Sequence, residues 1–563
     1  MIALRHFLCA ALLLLLPAIA DAQPPTTEWV KTVGTPGNES AGKICSDPYG
    51  YSYHAGSYWD TLRLCNDSLP RVRQTMSSNM IQNIFITKLD SAGNCVWAKA
   101  GVNIVPLVSG GAIACEIMDM RYHEGYVYCA GVFTDSIVFD SLVLHNPVCV
   151  SYCHSTFVLK LDSAGTIVWG KTFLGNSFNI WATTIIPHAN GVIVGGHYVG
   201  ELLVDTFQLN APNSWNYSAY LLGLDHAGNC RWATNVGAGL MTEVEDITYD
   251  GGNALYLAGI YMDSIIFPNV TLQASQLFGS FFARYDTLGN FAWAKGGAGV
   301  LEGMFYNHCL SMNNPAHFYF TATFADSARF GSSTYTTPSG SWYRDALLKV
   351  DSSGQFLWSG VTGNKAGLQS FGADLEANNA GFLLYTGLMD TLTVGNNFFT
   401  STAGSLDMLL IQFNPGGNVS WAKHYGGQFQ EIALDAHLGG NTIYTSFRGM
   451  STFPFDQFTV QNLGGGDAVF AKMKADFSPD GISEMLAGDA AFALYPNPSS
   501  GECTIVSEKP IAHLRITDTR GRLVSEEKPQ AQRTILRLEE AGMYFITITS
   551  EGRTGVKKLI VTR

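Results

Sequence analysis

Short runs of β-branched and aromatic residues, broken by polar turn residues, recur from about residue 27 to residue 473. In six places an apolar run leads into Asp or Asn, a glycine follows three residues later, and a tryptophan follows four residues after that, as in Asp90, Gly93 and Trp97. Because Asp can bond the backbone two residues on and Gly tolerates positive φ, this pattern predicts a β-hairpin. The runs lack helical periodicity, so the chain is predicted to be all-β.

The tryptophans of these hairpins return at a nearly constant interval. With Trp29, which precedes the six hairpins, neighbouring tryptophans lie between 61 and 72 residues apart. Self-similarity at a fixed period indicates one supersecondary unit that is copied several times. The residues that define the structural repeat are Trp29; Asp90, Gly93 and Trp97; Asp162, Gly165 and Trp169; Asp225, Gly228 and Trp232; Asp286, Gly289 and Trp293; Asp351, Gly354 and Trp358; and Asn414, Gly417 and Trp421.

Further apolar runs lie between the hairpins and flank an Asp-Ser or Asp-Thr pair, as at Asp135-Ser136 and Asp390-Thr391. They bring each unit to about four short strands, the number in a β-propeller blade. A unit of about 65 residues exceeds the roughly 45 residues of a compact blade. We expect the surplus to lie in loops on the faces, where ligands are usually bound. The aromatic loops at 215–217 and 341–343 are the candidate contacts.

The two ends of the repeat region hold complementary halves of one unit. Trp29 has no strand and turn before it, whereas residues 467–473 form a strand with no turn or tryptophan after it. If residues 27–33 pair with 467–473, one sheet contains both ends and no sheet edge is left exposed. The sequence therefore predicts a seven-bladed β-propeller over residues 23–473, closed by its N- and C-terminal strands.

The repeat also resembles a known family. The string Asp-Ala-Leu-Leu-Lys-Val-Asp-Ser-Ser-Gly-Gln-Phe-Leu-Trp at 345–358, with Gly363 just beyond, is similar to the seven-bladed bacterial propeller repeat called the SBBP repeat. The resemblance extends over about residues 27–475. It implies an extracellular propeller scaffold and transfers no catalytic residue.

The tail has a different pattern. A polar linker at 474–491 leads to short alternating strands at 492–563, which predict a small Ig-like β-sandwich. This segment resembles the type A C-terminal sorting domain of the type IX secretion system of Bacteroidota, although an ordinary Ig-like binding module is the alternative. The residues that carry the resemblance are Tyr495, Pro496, Asn497, Pro498, Gly521, Gly542, Tyr544, Lys557 and Lys558. The resemblance implies that the type IX secretion machinery is a partner, and that the protein is secreted or attached to the outer surface after passing through the periplasm.

Residues 1–22 have the features of a secretory signal peptide, with Arg5 and His6 before an apolar stretch and a small-x-small site at 20–22. The apolar stretch of about 14 residues is shorter than the roughly 20 needed to cross a bilayer, so we predict no transmembrane segment after cleavage. A net charge of −13 without a Lys/Arg cluster argues against nucleic acid as a partner. We expect a monomer.

Ten cysteines follow the signal peptide, and seven of them lie between residues 45 and 153. An oxidising compartment permits disulfides, so a local crosslink in the first two units is plausible. The sequence leaves the pairing open. Cys149 and Cys153 are a candidate pair, and free thiols are the alternative.

Known catalytic templates are missing from the sequence. The Asp/Gly/Trp pattern is similar to the Asp-box of sialidases and to the tryptophan-docking repeat of quinoproteins, but its glycine spacing differs from both. The chain has no Gly-x-Ser-x-Gly, no His-Glu-x-x-His and no phosphate-binding or EF-hand loop. Scattered histidines such as His197 and His308 indicate surface positions or satisfied structural groups. We therefore predict no catalytic, cofactor-binding or metal residue and no cofactor, with Ca²⁺ at the turn carboxylates as the one candidate ion.

The function predicted from these patterns is that of an exported cell-surface or secreted propeller scaffold that binds a glycan, a protein or another ligand and is not an enzyme. The alternative is a secreted hydrolase or lyase that acts on polysaccharide or peptide through carboxylates on the channel face. Two carboxylates about 5 to 10 Å apart in a pocket would favour hydrolysis. A purely structural surface component is a third possibility.

Overall fold

The computed structural model of the protein describes residues 23–70, 81–105, 114–147, 154–175, 179–212, 215–297, 300–337, 344–362, 374–394, 397–477, 492–495, 499, 501–518, 522–550 and 553–562. The chain divides into two compact units, one spanning Ala22–Phe477 and one that contains Ser478–Arg563. The predicted signal peptide and most of the predicted linker lie outside the described residues.

The larger unit consists almost entirely of strands, numbered here in chain order, with one short 3₁₀ helix at Thr402–Gly404. Some of these segments, such as Glu201–Val204, alternate buried with more exposed residues, whereas others, such as Asn83–Leu89, are buried throughout. Alternation and short, continuously buried runs of β-branched and aromatic residues both favour extended strands. The strands are β1 Thr26–Val33, β2 Glu39–Ser46, β3 Ser52–Tyr58, β4 Leu62–Leu64, β5 Asp67–Leu69, β6 Asn83–Leu89, β7 Cys95–Ile104, β8 Cys115–His123, β9 Tyr126–Thr134, β10 Ser136–Phe139, β11 Leu142–His145, β12 His154–Asp162, β13 Ile167–Thr172, β14 Ile180–His188, β15 Gly191–Val199, β16 Glu201–Val204, β17 Phe207–Asn210, β18 Tyr217–Leu224, β19 Cys230–Asn235, β20 Ala238–Gly239, β21 Thr242–Tyr249, β22 Ala254–Phe267, β23 Val270–Asp286, β24 Phe291–Gly296, β25 Leu301–Asn314, β26 His317–Phe330, β27 Ser333–Thr336, β28 Arg344–Asp351, β29 Phe356–Val361, β30 Asp374–Asn378, β31 Gly381–Met389, β32 Thr391–Val394, β33 Asn397–Thr400, β34 Leu406–Phe413, β35 Val419–Tyr425, β36 Glu431–Gly439, β37 Thr442–Gly449, β38 Phe453–Phe455, β39 Phe458–Val460 and β40 Asp467–Lys474.

Within the described residues, these strands form seven antiparallel sheets that share one four-strand plan. The sheets are β2-β3-β6-β7, β8-β9-β12-β13, β14-β15-β18-β19, β21-β22-β23-β24, β25-β26-β28-β29, β30-β31-β34-β35 and β36-β37-β40-β1. The last two strands of the first six sheets are the hairpins predicted from the Asp/Gly/Trp pattern, as in β6 and β7. The predicted hairpins are confirmed.

The seventh sheet combines the two ends of the unit. Strand β1 pairs antiparallel with β40, with Trp29 opposite Lys472 and Val33 opposite Ala468. The predicted pairing of residues 27–33 with 467–473 is confirmed. Core residues then join this sheet to the next one in sequence, since Trp29 and Phe470 belong to the same buried cluster as Tyr58 and Phe85.

The first strands of the seven sheets are neighbours in sequence order. Strand β2 contacts β8, β8 contacts β14, β14 contacts β21, β21 contacts β25, β25 contacts β30, β30 contacts β36, and β36 contacts β2. The contacts between first strands therefore run from β2 through all seven sheets and back to β2. Apolar side chains pack between adjacent sheets, as where Tyr256 and Phe282 of one sheet meet Phe318 and Leu348 of the next.

Each repeat inserts a short hairpin between the second and third strands of its sheet. Four are separate strand pairs, β4-β5, β16-β17, β32-β33 and β38-β39. The β10-β11 hairpin also pairs with β7 of the preceding repeat, and in the other two repeats long strands such as β22 and β23 continue into the hairpin. Their apolar residues, such as Leu62, Ile137 and Leu392, are buried. The sequence predicts the run after each Asp-Ser or Asp-Thr pair as one of the four strands of its unit. The structure confirms that these runs are strands, but they pair within the inserted hairpins, as Ser136–Phe139 and Thr391–Val394 do.

The Asp-Ser and Asp-Thr pairs mark where several of these hairpins begin. Asp135, Asp263, Asp326 and Asp390 have φ between 57° and 66°. Aspartate tolerates this left-handed conformation better than most residues do, because its short side chain can hydrogen-bond locally. The recurrence of these pairs therefore has a structural cause.

A disulfide crosslinks the first repeat. Cys65 and Cys95 are bonded, with their Cα atoms 5.1 Å apart and a sequence separation of 30. The bond connects the turn of the β4-β5 hairpin to the start of β7, inside the cysteine-rich region that the sequence indicates. Cys149 and Cys153 lie outside the described residues.

The smaller unit contains two sheets. Its strands are β41 Phe492–Tyr495, β42 Glu502–Ile511, β43 His513–Asp518, β44 Leu523–Glu527, β45 Ala531–Arg537, β46 Gly542–Ser550 and β47 Arg553–Val561. The sheets have the orders β41-β42-β45 and β44-β43-β46-β47. Both contribute to one core, in which Ile505 and Leu536 of the first sheet meet Ile516 and Ile546 of the second.

Candidate functional site

Residues of the seven first strands, β2, β8, β14, β21, β25, β30 and β36, line one cavity of about 360 Å³, called here the central cavity. Its lining contains many charged side chains, and carboxylates outnumber cations among them. The charged lining residues are Asp119, Glu245, Asp246, Asp374, Glu376 and Asp435, together with Lys43 and Arg121. Most small-molecule pockets are predominantly apolar with few polar groups, so this cavity suits a strongly polar ligand or water.

Local backbone irregularities direct the aspartates toward the cavity. Asp119, Asp246 and Asp435 each lie at a β-bulge in the first strand of their sheet. A bulge inserts an extra residue and re-aims the neighbouring side chain. Asp374 occupies the first position of β30.

The four aspartates connect neighbouring sheets. Each accepts a hydrogen bond from a backbone N–H of the following sheet, and such bonds to a charged acceptor are stronger than neutral ones. The bonds are Ile185 N to Asp119 at 2.9 Å, Leu310 N to Asp246 at 2.7 Å, Ala436 N to Asp374 at 2.7 Å and Ile44 N to Asp435 at 2.7 Å. A large part of this acidity is therefore structural.

The two cations lie within this acidic surface. Lys43 Nζ is 2.8 Å from Asp435 Oδ1, and Arg121 Nε is 3.2 Å from Asp119 Oδ1. Asp119 raises the pKa of Arg121 above its usual range, so the guanidinium remains charged. Burial raises the pKa of Asp246 to about 7, against the attraction of Arg121. Two cations thus do not balance the six carboxylates of the lining, and Asp246 titrates near neutral pH.

Glu245 and its neighbours occupy another part of the wall. His308 is buried, its Nδ1 lies against Glu245 Oε2, and its backbone N–H donates to the same oxygen at 2.9 Å. Burial alone would raise the pKa of Glu245, but His308 outweighs it and lowers the pKa. Burial also raises the pKa of Cys309 well above its usual range. Because the thiolate is the nucleophilic form, this cysteine is not activated.

A second group of side chains, called here the aromatic–acidic cluster, consists of Trp181, His197, Tyr217 and Glu243. His197 Nδ1 is 3.6 Å from Glu243 Oε2 and has no hydrogen-bond partner. The expectation of a satisfied structural histidine is therefore wrong for His197. Trp215 in the predicted contact loop is 87% exposed, whereas the loop at 341–343 lies outside the described residues.

The predicted repeat residues lie at the hairpin turns, where the Asp and Gly residues are, and in the strands that follow, which carry the tryptophans. They connect successive repeats. Trp97 Nε1 donates to Ser163 O at 3.2 Å, and Trp169 Nε1 donates to His226 O at 2.9 Å. Each accepting carbonyl belongs to the turn of the next repeat. Trp421 differs, since it packs in a core cluster with Phe477 instead of on a following turn.

The turn carboxylates are held by their own turns. Asp225 Oδ1 accepts the backbone N–H groups of Ala227 and Asn229, both at 2.9 Å. Against the effect of burial, hydrogen bonds from Asn229 and other neighbours hold the pKa of Asp225 at about 2. Turn geometry therefore accounts for these aspartates. Among the described residues, no group of three or more His, Cys, Asp or Glu side chains is arranged to hold a metal ion.

The predicted sorting residues lie in the smaller unit. Gly542 and Tyr544 are in β46, where the buried Tyr544 hydroxyl donates to Glu540 O at 2.9 Å. Lys557 and Lys558 are in β47, and Tyr495 ends β41. Pro496, Asn497, Pro498 and Gly521 lie outside the described residues.

The cavity residues were not identified by sequence reasoning. A signal was present, because Asp119, Asp246, Asp374 and Asp435 each precede an apolar residue and recur at one or two repeat lengths. The Asp/Gly/Trp pattern is stronger and has the same period, so it obscures the recurrence of these four aspartates. The bulges decide which recurrent aspartate faces the cavity, and the sequence does not mark where the bulges occur.

Comparison with known proteins identifies the tail. Residues 493–562 match the family model described as the secretion system C-terminal sorting domain. The predicted sorting domain is confirmed, and it indicates export through type IX secretion to the cell surface or the medium. No helix in the described part of the chain is long and apolar enough to span a membrane.

Similarities of the rest of the chain are distant. An uncharacterised WD repeat-containing protein of Acanthamoeba polyphaga mimivirus is 23% identical over an alignment of 268 residues. The alignment covers 41% of this chain and 19% of that protein. Cobalt-substituted apocarotenoid oxygenase of Synechocystis matches with a TM-score of 0.36 and 8% identity, over 76% of this chain and 88% of the oxygenase. PorZ, a surface component of the type IX secretion system of Porphyromonas gingivalis, matches with a TM-score of 0.13 and 10% identity, over 95% and 100% of the two chains. Neither structural similarity is close enough to indicate a shared fold.

Proposed function

We propose that the protein is an exported β-propeller scaffold that binds a ligand at the cell surface or in the medium, acts as a monomer without a cofactor, and is not an enzyme. In this proposal the smaller unit, an Ig-like sandwich, directs export, and the larger unit binds. The match of residues 493–562 to the C-terminal sorting domain supports the role of the smaller unit in export.

The seven-bladed form rests on three features of the larger unit. Seven sheets share one four-strand plan, their first strands follow one another back to β2, and β1 completes the sheet of β40. A propeller arranges four-stranded sheets around a central channel in this way. The WD repeats of the viral relative are consistent with it.

The observation that carries the binding function is the central cavity, to which all seven sheets contribute polar side chains. Hydrogen bonds between sheets hold these side chains in place before a ligand arrives. Preorganisation of this kind reduces the cost of binding. The oxygens of Asp119 and Asp246 already accept backbone N–H groups, and the Cys309 thiol is not activated, so the wall favours binding over catalysis.

Hydrolysis of polysaccharide or peptide is the second candidate. It is favoured by Asp246, whose pKa of about 7 is suitable for a general acid near neutral pH. Because Asp246 also connects two sheets, we rank this function below binding.

The two functions are separated by one experiment on the full chain without residues 1–22. The protein is applied to glycan and protein arrays and, in parallel, incubated with a panel of polysaccharides and peptides. We expect saturable binding without turnover. Turnover that is lost in Asp246→Asn would contradict the binding proposal and establish the hydrolase.

A further inference from the structure

The aromatic–acidic cluster lies where several strands of neighbouring sheets begin or end. Trp181 is opposite His197 in the β14-β15 pair, and Tyr217 is opposite Val199 in the β15-β18 pair. Glu243 is in β21 of the next sheet, which contacts both β14 and β15. The cluster is therefore built on paired strands of two sheets rather than on a loop, which makes its geometry precise.

The rings of the cluster form a continuous aromatic surface. Trp181 and His197 are stacked, with ring centroids 6.2 Å apart and an interplanar angle of 22°. His197 and Tyr217 are 4.7 Å apart at 57°. Trp181 and Tyr217 are both partly exposed, and Trp215, two residues before Tyr217, is almost fully exposed.

A polar pair lies beside these rings with hydrogen-bonding capacity left over. His197 is only 8% exposed, yet its Nδ1 makes no hydrogen bond. Leaving a buried polar atom unsatisfied costs free energy, and such an atom in a native structure calls for an explanation. The Glu243 carboxyl is 3.6 Å from this nitrogen, too far for a direct hydrogen bond.

Both groups tend toward their neutral forms. Burial, together with Glu245, raises the pKa of Glu243 to about 7. Burial lowers the pKa of His197 to about 4. Neutral imidazole and carboxyl groups each offer a donor and an acceptor, which is the hydrogen-bonding character of a hydroxyl group.

We infer that the aromatic–acidic cluster is a saccharide subsite, in which a pyranose ring packs its C–H face on the exposed indole surface and its hydroxyl groups hydrogen-bond His197 and Glu243. The chemistry of the ligand follows from the site: a flat aromatic surface accepts the apolar face of a sugar, and hydroxyls satisfy neutral donors and acceptors. The inference rests on the proposed binding function and names its ligand class and contact residues.

The subsite also adjoins the central cavity. Glu245 lies two residues after Glu243 on β21 and lines the cavity wall. The charge of Glu245 influences both Glu243 and His197. A glycan chain bound at the cluster therefore has a polar continuation toward the cavity.

The test uses the full chain without residues 1–22 and an array of neutral oligosaccharides, followed by calorimetric titration with the tightest of them. We expect Trp181→Ala and Glu243→Met each to weaken binding at least tenfold, whereas Glu243→Gln, which keeps a donor and an acceptor, should bind about as the wild type does. Tyr49→Ala serves as the matched control for Trp181→Ala, since Tyr49 is 81% exposed and lies after the end of β2, whereas Trp181 lies at the start of β14. This control variant is expected to bind as the wild type does. Glu243→Met removes only the polar end of the side chain, so it keeps the test valid if Trp181→Ala folds poorly.

Two results overturn the subsite. One is the absence of saturable binding by every neutral oligosaccharide on the array. The other is wild-type affinity in Glu243→Met. If a ligand still binds Glu243→Met but is lost in Arg121→Met, the scaffold function stands and the subsite fails. Turnover of a bound oligosaccharide would instead contradict the proposed function.

Discussion

At the scale of single residues, the glycine of each turn explains why Asp, Gly and Trp recur together. Gly165 has φ of +83°, and a Cβ atom at this position would lie 2.9 Å from the Trp97 ring. Gly228 has the same relation to Trp169, at 3.0 Å. The turn of one repeat is thus the surface on which the tryptophan of the preceding repeat packs, and only glycine allows both the conformation and the approach.

Gly165→Ala should lower the free energy of unfolding by about 2–4 kcal/mol, from the left-handed backbone and from overpacking against Trp97. Gly125→Ala is the matched control, because Gly125 has φ of +87° with no atom within 4 Å of the added Cβ. It should lose only about 1 kcal/mol for the backbone. Urea denaturation measures both, and equal losses would contradict the tryptophan contact.

Glu243 predicts a pH dependence. In the unfolded chain a glutamate titrates near pH 4.3, whereas its pKa in the folded protein is about 7. Between these values the folded state binds more protons, so this residue's contribution to stability falls as pH rises. Glu243→Gln should therefore gain stability relative to the wild type between pH 5 and pH 8. Thermal unfolding of both proteins across that range checks it, and a constant difference would show that Glu243 titrates normally.

At the scale of elements, the inserted hairpins connect one repeat to the one before it. The turn aspartates Asp140 and Asp205 are paired with Lys99 and Lys171 of the preceding repeat, each at 2.6 Å. The first repeat has Cys65 at its hairpin turn and the disulfide to Cys95 instead. Sequence reasoning counted the run after each Asp-Ser or Asp-Thr pair among the four strands of its unit, whereas the structure pairs these runs within the inserted hairpins. The sequence of a strand of three or four residues does not specify which strand it pairs with.

The disulfide should stabilise the first repeat. Closing a loop of this length is worth about 2–4 kcal/mol in folding free energy. We expect Cys65→Ser/Cys95→Ser to lose that amount, and dithiothreitol to destabilise the wild type but not the double variant. Thermal unfolding with and without the reductant measures both effects. A wild type that is insensitive to reductant while its thiols are shown to be reduced would refute this role.

At the scale of the whole molecule, the pairing of β1 with β40 supplies the fourth strand of the seventh sheet. Without β1, strand β40 would present an unpaired edge, and such edges promote association with other chains. The strand also carries Trp29, which packs in the core shared with the next sheet.

Deletion of residues 23–33 should therefore produce a protein that unfolds at lower temperature and associates. Deletion of residues 492–563 is the control, since these residues belong to the other compact unit. We expect this shorter chain to remain a monomer with unchanged thermal stability of the larger unit. Size-exclusion chromatography and thermal unfolding distinguish the two, and a monomeric, stable deletion of 23–33 would contradict the closing role of β1.

Export makes a separate prediction for the tail. In the native host, a chain that lacks residues 492–563 should accumulate in the periplasm, because the sorting domain that marks it for type IX secretion is missing. Cell fractionation with an antibody against the larger unit measures the distribution. The Gly125→Ala protein, which keeps the tail, should be exported normally, and export of the truncated chain would show that another segment carries the signal.

The period of the repeats, the hairpin at each Asp/Gly/Trp pattern, the pairing of the two ends and the identity of the tail could all be predicted from the amino-acid sequence. These features depend on local chemistry, namely turn residues, strand alternation and a motif along the chain. Contacts between residues of different repeats became known only from the folded structure. The central cavity depends on β-bulges that turn Asp119, Asp246 and Asp435 toward it, and the cluster of Trp181, His197 and Glu243 depends on the register and contact of two sheets. Residues that are tens of positions apart become neighbours only when the strands pair, and no local pattern encodes that distance.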